Sequence, residues 1–148
     1  MATPSEAVLV DANVLVYSVF RDSEYHQASR DLLEGAQDGL ASLCVTSQVL
    51  AEFYAVATDA RRVDDPKQPA EVLQVIRDLL VMPGMTLIPT PVEAVPIWTT
   101  LARQNPVLRG HIFDVQLVGS MLANGVHKIY TFDRTGFEPF ADVEVLTP

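Results

Sequence analysis

The sequence predicts an α/β fold, a three-layer α/β/α sandwich with a mainly parallel sheet, and two observations carry that prediction. Short apolar runs alternate with segments of helical periodicity along the whole chain, and no repeat, low-complexity stretch or composition shift divides the 148 residues. Alternation of strands and helices is the pattern of a parallel sheet covered on both faces. The length suits one domain, residues 1–148, with one core.

Ala7 to Val10 reads as a buried strand that ends at Asp11, and Asn13 to Phe20 begins a helix after a tight turn. A second helix is expected over Ser23 to Ala36, where Tyr25, Ala28, Leu32, Leu33 and Ala36 keep helical spacing. Gly39 breaks that pattern, and Leu40 to Val45 reads as the second strand. Thr46 or Ser47 can cap a helix running from Gln48 to Ala60. The polar segment Arg61 to Pro69, with two prolines, is a loop. Val72, Leu73, Ile76, Leu79 and Leu80 then mark an amphipathic helix that Pro83-Gly84 ends. Met85 to Ile88 is the third strand. Thr90-Pro91-Val92-Glu93 reads as a capping box, and Pro96 predicts a kink or early stop in the helix that follows. His111 to Asn124 is a helix closed by Gly125, Val126 to Thr131 the fourth strand, and Val143 to Leu146 the last.

Composition limits the function. With 49% apolar and 20% charged residues the chain belongs with ordinary globular proteins. No apolar run approaches the ~20 residues that span a bilayer. The N-terminus lacks a basic start and carries an acid, so it does not read as a signal peptide, and a cytoplasmic location is expected. The one cysteine, Cys44, lies in an apolar run and reads as a buried, inert thiol. A net charge of −9 argues against a broad nucleic-acid-coating surface, but not against a local site that acts on nucleic acid.

Four acids stand out. Asp11 follows the first strand directly and Asp133 lies two residues after the fourth; parallel strands would bring both to one sheet edge, where α/β folds bind ligands. Turn or N-cap roles account for such residues equally well. Asp114 shares a face with Leu117, Val118 and Met121 on a helix that is apolar almost all round, where a carboxylate is costly unless paired or metal-bound. Its alternative is a capping role at the helix N-terminus. Glu52 flanks the apolar stripe Val49, Phe53, Val56 and Ala57, and alone would be a solvated edge residue. Gathered in one pocket, four carboxylates would repel one another unless a cation offset them, and an all-oxygen set suits Mg²⁺ or Mn²⁺. The lone cysteine and three scattered histidines offer no zinc site. Carboxylate-held divalent ions without a phosphate-binding glycine loop suggest phosphodiester hydrolysis.

The segments LVDANVLVY, TSQVLAEF, HIFDVQLVGSMLANGV and IYTFD, in that order and spacing, resemble the PIN-domain family, and within it the VapC-type toxins of bacterial toxin–antitoxin pairs. The resemblance runs from Val8 to the final strand. It implies an endoribonuclease that uses Mg²⁺ or Mn²⁺, with Asp11, Glu52, Asp114 and Asp133 on the family's acidic quartet. Asn13, Ser47 and Thr131 match its accompanying polar positions and would orient carboxylates or water. It also implies an RNA substrate, a cognate antitoxin and a homodimer. Basic residues available to RNA are Arg61, Arg62, Lys67, Arg109 and Arg134, of which Arg109 is nearest in sequence to Asp114. Two other readings compete. A haloacid-dehalogenase-like phosphatase also begins with an aspartate after its first strand, but needs a second aspartate where Asn13 stands, and a well-placed lysine. A catalytically inactive PIN-like interaction module would be expected to have lost a ligand.

Overall fold

A computed structural model of the chain describes residues 7–148; the start of the N-terminal stretch read above lies outside the described residues. Five three-residue strands form one sheet: β1 (Val8–Val10), β2 (Leu43–Val45), β3 (Met85–Leu87), β4 (Lys128–Tyr130) and β5 (Glu144–Leu146). Their order is β3-β2-β1-β4-β5 and every pairing is parallel, with Leu9 opposite Cys44 on one side and Ile129 on the other. The chain therefore moves outward from β1 to β3, then returns to the far side of β1 for β4.

Six helices connect the strands: α1 (Ala12–Val19), α2 (His26–Gln37), α3 (Ser47–Ala57), α4 (Pro69–Leu80), α5 (Ala94–Gln104) and α6 (Ile112–Ala123). Parallel crossovers are right-handed, so the reversal after β3 sends α5 and α6 to the face opposite α1–α4. The packing agrees: α1 lies on α2 and α3, α3 on α4, and α5 on α6. Three layers result. The strands supply the centre of the core, with Leu9, Val10, Leu43, Cys44, Val45 and Ile129 almost fully buried. Burial pushes the Cys44 thiol up to about 12, which leaves it inert. Gly119 lets α6 sit close on α5, since a Cβ there would lie 2.7 Å from Cβ of Trp98. Among the described residues no helix is long and apolar enough to cross a membrane.

Several boundaries depart from the sequence reading. Helix α2 begins at His26, so Tyr25 leaves the helical stripe and stacks on Phe132, with ring centroids 4.3 Å apart. Strand β2 begins at Leu43, because the amides of Leu40 and Ala41 are used to close the end of α2 on the Gly35 carbonyl. Helix α3 stops at Ala57, not Ala60. The capping box does not form: α5 starts at Ala94, and Glu93 is helical in backbone and caps nothing with its side chain. Pro96 does not stop α5, which runs on to Gln104, since it occupies the third helical position, where an amide has no intrahelical acceptor to lose. Gly125 closes α6 as expected, with φ of 71° and a pair of bonds, Gly125 N–H to Leu122 and Val126 N–H to Met121.

Candidate functional site

Beyond the carboxyl ends of β1 and β4 the chain departs toward opposite faces, which makes this the switch point of the sheet and the place where such folds hold ligands. Asp11 is the first residue after β1, and its amide bonds the Tyr130 carbonyl at the end of β4. Asp133 follows β4 and opens a short 3₁₀ turn, Arg134–Gly136. Helix α3, entered from β2, carries Glu52 to the same edge, and the first turn of α6 carries Asp114 from the other face. The four acids line one open cavity of about 630 Å³, together with Asn13, Tyr17, Arg62 and Phe113.

Asp11 is only 8% exposed. Its Oδ1 accepts from the Ala12 amide at 2.8 Å, so it caps α1; its Oδ2 accepts from the Thr131 hydroxyl at 2.8 Å and from Asn13 Nδ2 at 3.4 Å. The fully buried Thr131 oxygen also accepts from Asn13 Nδ2 and from the Asp133 amide, while Asn13 Oδ1 accepts from the Phe132 amide. One small network thus fixes Asp11 against the segment that bears Asp133. Burial raises the Asp11 carboxyl to about 6 even though Thr131 and Ala12 pull it down, and the charges of Glu52 and Asp133 add to the rise.

Asp114 is half-buried and also sits at about 6. Burial is again the main cause, followed by the charges of Asp11, Asp133 and Glu52, with His111 opposing. The sequence predicts mutual repulsion among the gathered acids; here desolvation comes first in raising Asp11 and Asp114, and repulsion later. Among the described residues Asp114 accepts no capping hydrogen bond and meets no cation in an ion pair. The capping role is therefore set aside for this residue. Glu52 accepts from Gln48 Nε2 at 3.1 Å, and the same nitrogen donates to the Phe113 carbonyl at 2.9 Å, which straps α3 to the turn that carries Asp114.

The site's fit to a divalent cation rests on two features. Its donors are carboxylate oxygens, which suit a hard ion. At Gly136 a Cβ would lie 3.1 Å from Oδ2 of Asp133 and 3.3 Å from Oδ2 of Asp114, so the bare glycine leaves both carboxylates room at one spot. As they stand, no three Asp, Glu, His or Cys side chains among the described residues converge tightly on a single point. Like charges keep apart unless a cation offsets them, and the oxygens of Asp11 are already engaged.

The other expected residues divide. Asn13 and Thr131 hold the carboxylate as described. Ser47 does not: it is exposed in the first turn of α3, and the buried hydroxyl that caps this helix is Thr46, which accepts from the Val49 amide at 3.1 Å. Arg62 lines the acid cavity, and Arg109 is exposed, in the left-handed region with φ of 56°, beside the cavity-lining Gly110. Arg61 and Arg134 are taken up by Asp59 and Glu138. Sequence reasoning missed Gln48 and Gly136. The four-residue spacing from Gln48 to Glu52 was available as a signal, whereas nothing in R-T-G announces two carboxylates meeting over the glycine.

Comparison with known proteins bears on the family and the fold. The chain is 26% identical over 139 residues to ribonuclease VapC24 of Mycobacterium tuberculosis, covering 94% of each. Its fold matches that of M. tuberculosis VapC20, a toxin that cleaves the sarcin-ricin loop, with a TM-score of 0.68 and 15% identity over 96% of this chain and all of that one. It also matches a chain of VapBC2 from Rickettsia felis bound to promoter DNA, with a TM-score of 0.67 and 14% identity over 96% of this chain and 98% of that one. The PIN domain profile matches residues 8–143, so the chain that carries these four acids belongs to the PIN-domain family.

Proposed function

We propose that this protein is a divalent-metal-dependent endoribonuclease and the toxin of a toxin–antitoxin pair, acting in the cytoplasm. The observation that carries the reading is the meeting of Asp11, Glu52, Asp114 and Asp133 on one cavity at the switch point of the sheet. In this reading those four residues hold Mg²⁺ or Mn²⁺. A bound ion of that kind lowers the pKa of a water and stabilises charge on the leaving oxygen of a phosphodiester. The chain's own residues do the rest. Thr131 and Asn13 fix the Asp11 carboxylate, Gln48 fixes Glu52, and Arg62 with Arg109 meets the negative backbone at the cavity.

The similarity to a ribonuclease over nearly the whole chain supports the activity. Solved VapBC pairs from R. felis and Salmonella typhimurium among the structural neighbours support an antitoxin partner, whose basic side chains would suit the acid cavity. Helix α4 leaves Leu73 and Leu80 exposed, with Val81 beyond them, and this apolar surface supports a homodimer. A phosphatase of the haloacid-dehalogenase type gains nothing. Asn13 is committed to Asp11 and Thr131, and neither Lys67 nor Lys128 lines the acid cavity.

Asp114→Asn tests the reading. It keeps size and removes one charge, so cleavage of single-stranded RNA in Mn²⁺ is expected to fall by orders of magnitude, as it should for the wild type in EDTA. Stability in EDTA should hold or rise, because a repelling charge is gone. Preserved cleavage in the variant, or undiminished wild-type cleavage in EDTA, refutes the proposal.

A further inference from the structure

A second cavity, of about 370 Å³, opens at the far end of α1 from Asp11. Arg21, Arg30 and Lys67 line it along with His26, and Glu71 is its one acid. Phe53 and Val72, both almost fully buried, belong to its apolar lining. The chain has only ten Lys and Arg against nineteen acids, so three cations around one cavity stand out. Among the described residues Arg21 and Lys67 make no ion pair, although Lys67 lies over the Phe20 ring at 5.2 Å. Arg30 is shared with Glu34 at 3.4 Å, an exposed pair of little strength. His26 is held with Nδ1 on the Tyr17 carbonyl at 2.9 Å; that nitrogen is the donor, and Nε2 is left available.

The two cavities are neighbours along the same elements. Tyr17 lines the acid cavity, and Ser18 and Val19, next in α1, line the second. Arg62 and Val63 line the acid cavity, and Lys67, further along the same loop, lines the second. Seven residues of helix separate Asp11 from Ser18, about 10 Å along the axis, a span of a few nucleotides. A polyanion drawn into a cavity of four carboxylates must be held from outside it, and most of this protein's surface repels it. Arg61, Lys128 and Arg134 are already paired with acids. The free cations that continue away from Arg62 lead to Lys67 and Arg21.

We propose that the cavity lined by Arg21, Arg30, Lys67 and His26 is a phosphate subsite for the RNA strand, a few nucleotides from the bond cut at the acid cavity. The inference rests on the ribonuclease reading, and the experiment keeps the two separable. The double variant Arg21→Gln/Lys67→Gln is compared with the wild type, both in the Asp114→Asn background for binding. Affinity for a single-stranded oligonucleotide should fall about tenfold at low salt, and the slope of log affinity against log salt should flatten by about 0.7 for each phosphate no longer neutralised. In the active background a dinucleotide, too short to reach the second cavity, should be cleaved equally by both proteins. A longer strand should show a raised KM and an unchanged kcat in the double variant. Equal affinity and equal salt slope for the two proteins overturn the subsite. So does loss of binding to an acidic peptide with RNA binding intact, which would make the cavity a protein-docking site. If the wild type cleaves no RNA, the nuclease reading fails, and the binding comparison still decides the subsite.

Discussion

At Asp11 a single carboxylate serves two purposes, since Oδ1 takes the Ala12 amide while Oδ2 takes the Thr131 hydroxyl at the edge of the acid cavity. The sequence leaves cap and functional acid as alternatives; with two oxygens the residue caps α1 and still presents a carboxylate to the acid cavity. Thr131 is the residue whose weight the sequence understates, because two of its three hydrogen bonds cross 118 and 120 positions of chain and no local pattern reveals them. Ser47 errs the other way: it and Thr46 are adjacent hydroxyls, and only the strand's end decides which one turns inward. Gly136 offers the sharpest test at this scale. Its backbone is not left-handed, so Gly136→Ala strains no torsion, but the new methyl would stand 3.1 and 3.3 Å from two carboxylate oxygens. The expected result is a loss of Mn²⁺ affinity of about 10–100-fold by titration calorimetry, as for other changes that misdirect ligands. The melting temperature in EDTA should change little. Unaltered Mn²⁺ affinity would show that the spacing of Asp114 and Asp133 does not matter to binding.

Among the elements, the sequence was most legible where one local rule acted alone. Gly125 after the apolar run of α6 gave the helix end, and the stripe of α4 gave the helix. That stripe is wider than the core uses: Val72 and Leu79 are buried, Leu73 and Leu80 are not. Legibility failed where two rules compete for the same residues. Thr90 to Glu93 has the composition of a capping box, yet Pro91 and Val92 are spent on a turn whose carbonyls take the Ala94 and Val95 amides. Starting the helix at Ala94 also moves Pro96 from a breaking position to a tolerated one. The carbonyl four residues before it, that of Val92, lies outside the helix, so its ring crowds no helical carbonyl and its missing N–H costs no intrahelical bond. Pro96→Ala should therefore shift stability by less than about 1 kcal/mol, measured by urea denaturation. An interior proline would instead return about 3 kcal/mol on replacement, and a gain of that size would mean α5 begins earlier than Ala94.

For the molecule as a whole, the parallel sheet was readable from alternation, but the strand order was not, because every apolar run looks alike and only the return to β4 creates the switch point. That topology draws acids from four separate segments into one place, and the cost appears in their titration. Asp11 and Asp114 are both raised from 3.8 to about 6, chiefly by burial. A carboxyl that binds its proton more tightly when folded stabilises the fold only while protonated. The contribution is complete below pH 3.8, declines as pH rises, and is gone above about 6. For the nearly buried Asp11 the span corresponds to about 3 kcal/mol; the more exposed Asp114 adds less. In EDTA, wild-type stability relative to Asp11→Asn, which does not titrate, should therefore fall between about pH 4 and about pH 6. A divalent ion held as proposed would act on the same protons from the other side, binding the carboxylates in their ionised form, so on that proposal the rise in melting temperature produced by Mn²⁺ should grow across the window. Urea unfolding of both proteins at several pH values, with and without Mn²⁺, measures both trends. A difference between wild type and variant that stays level with pH would mean that Asp11 is ionised and compensated in the metal-free fold. The repulsion that calls for a cation would then be absent.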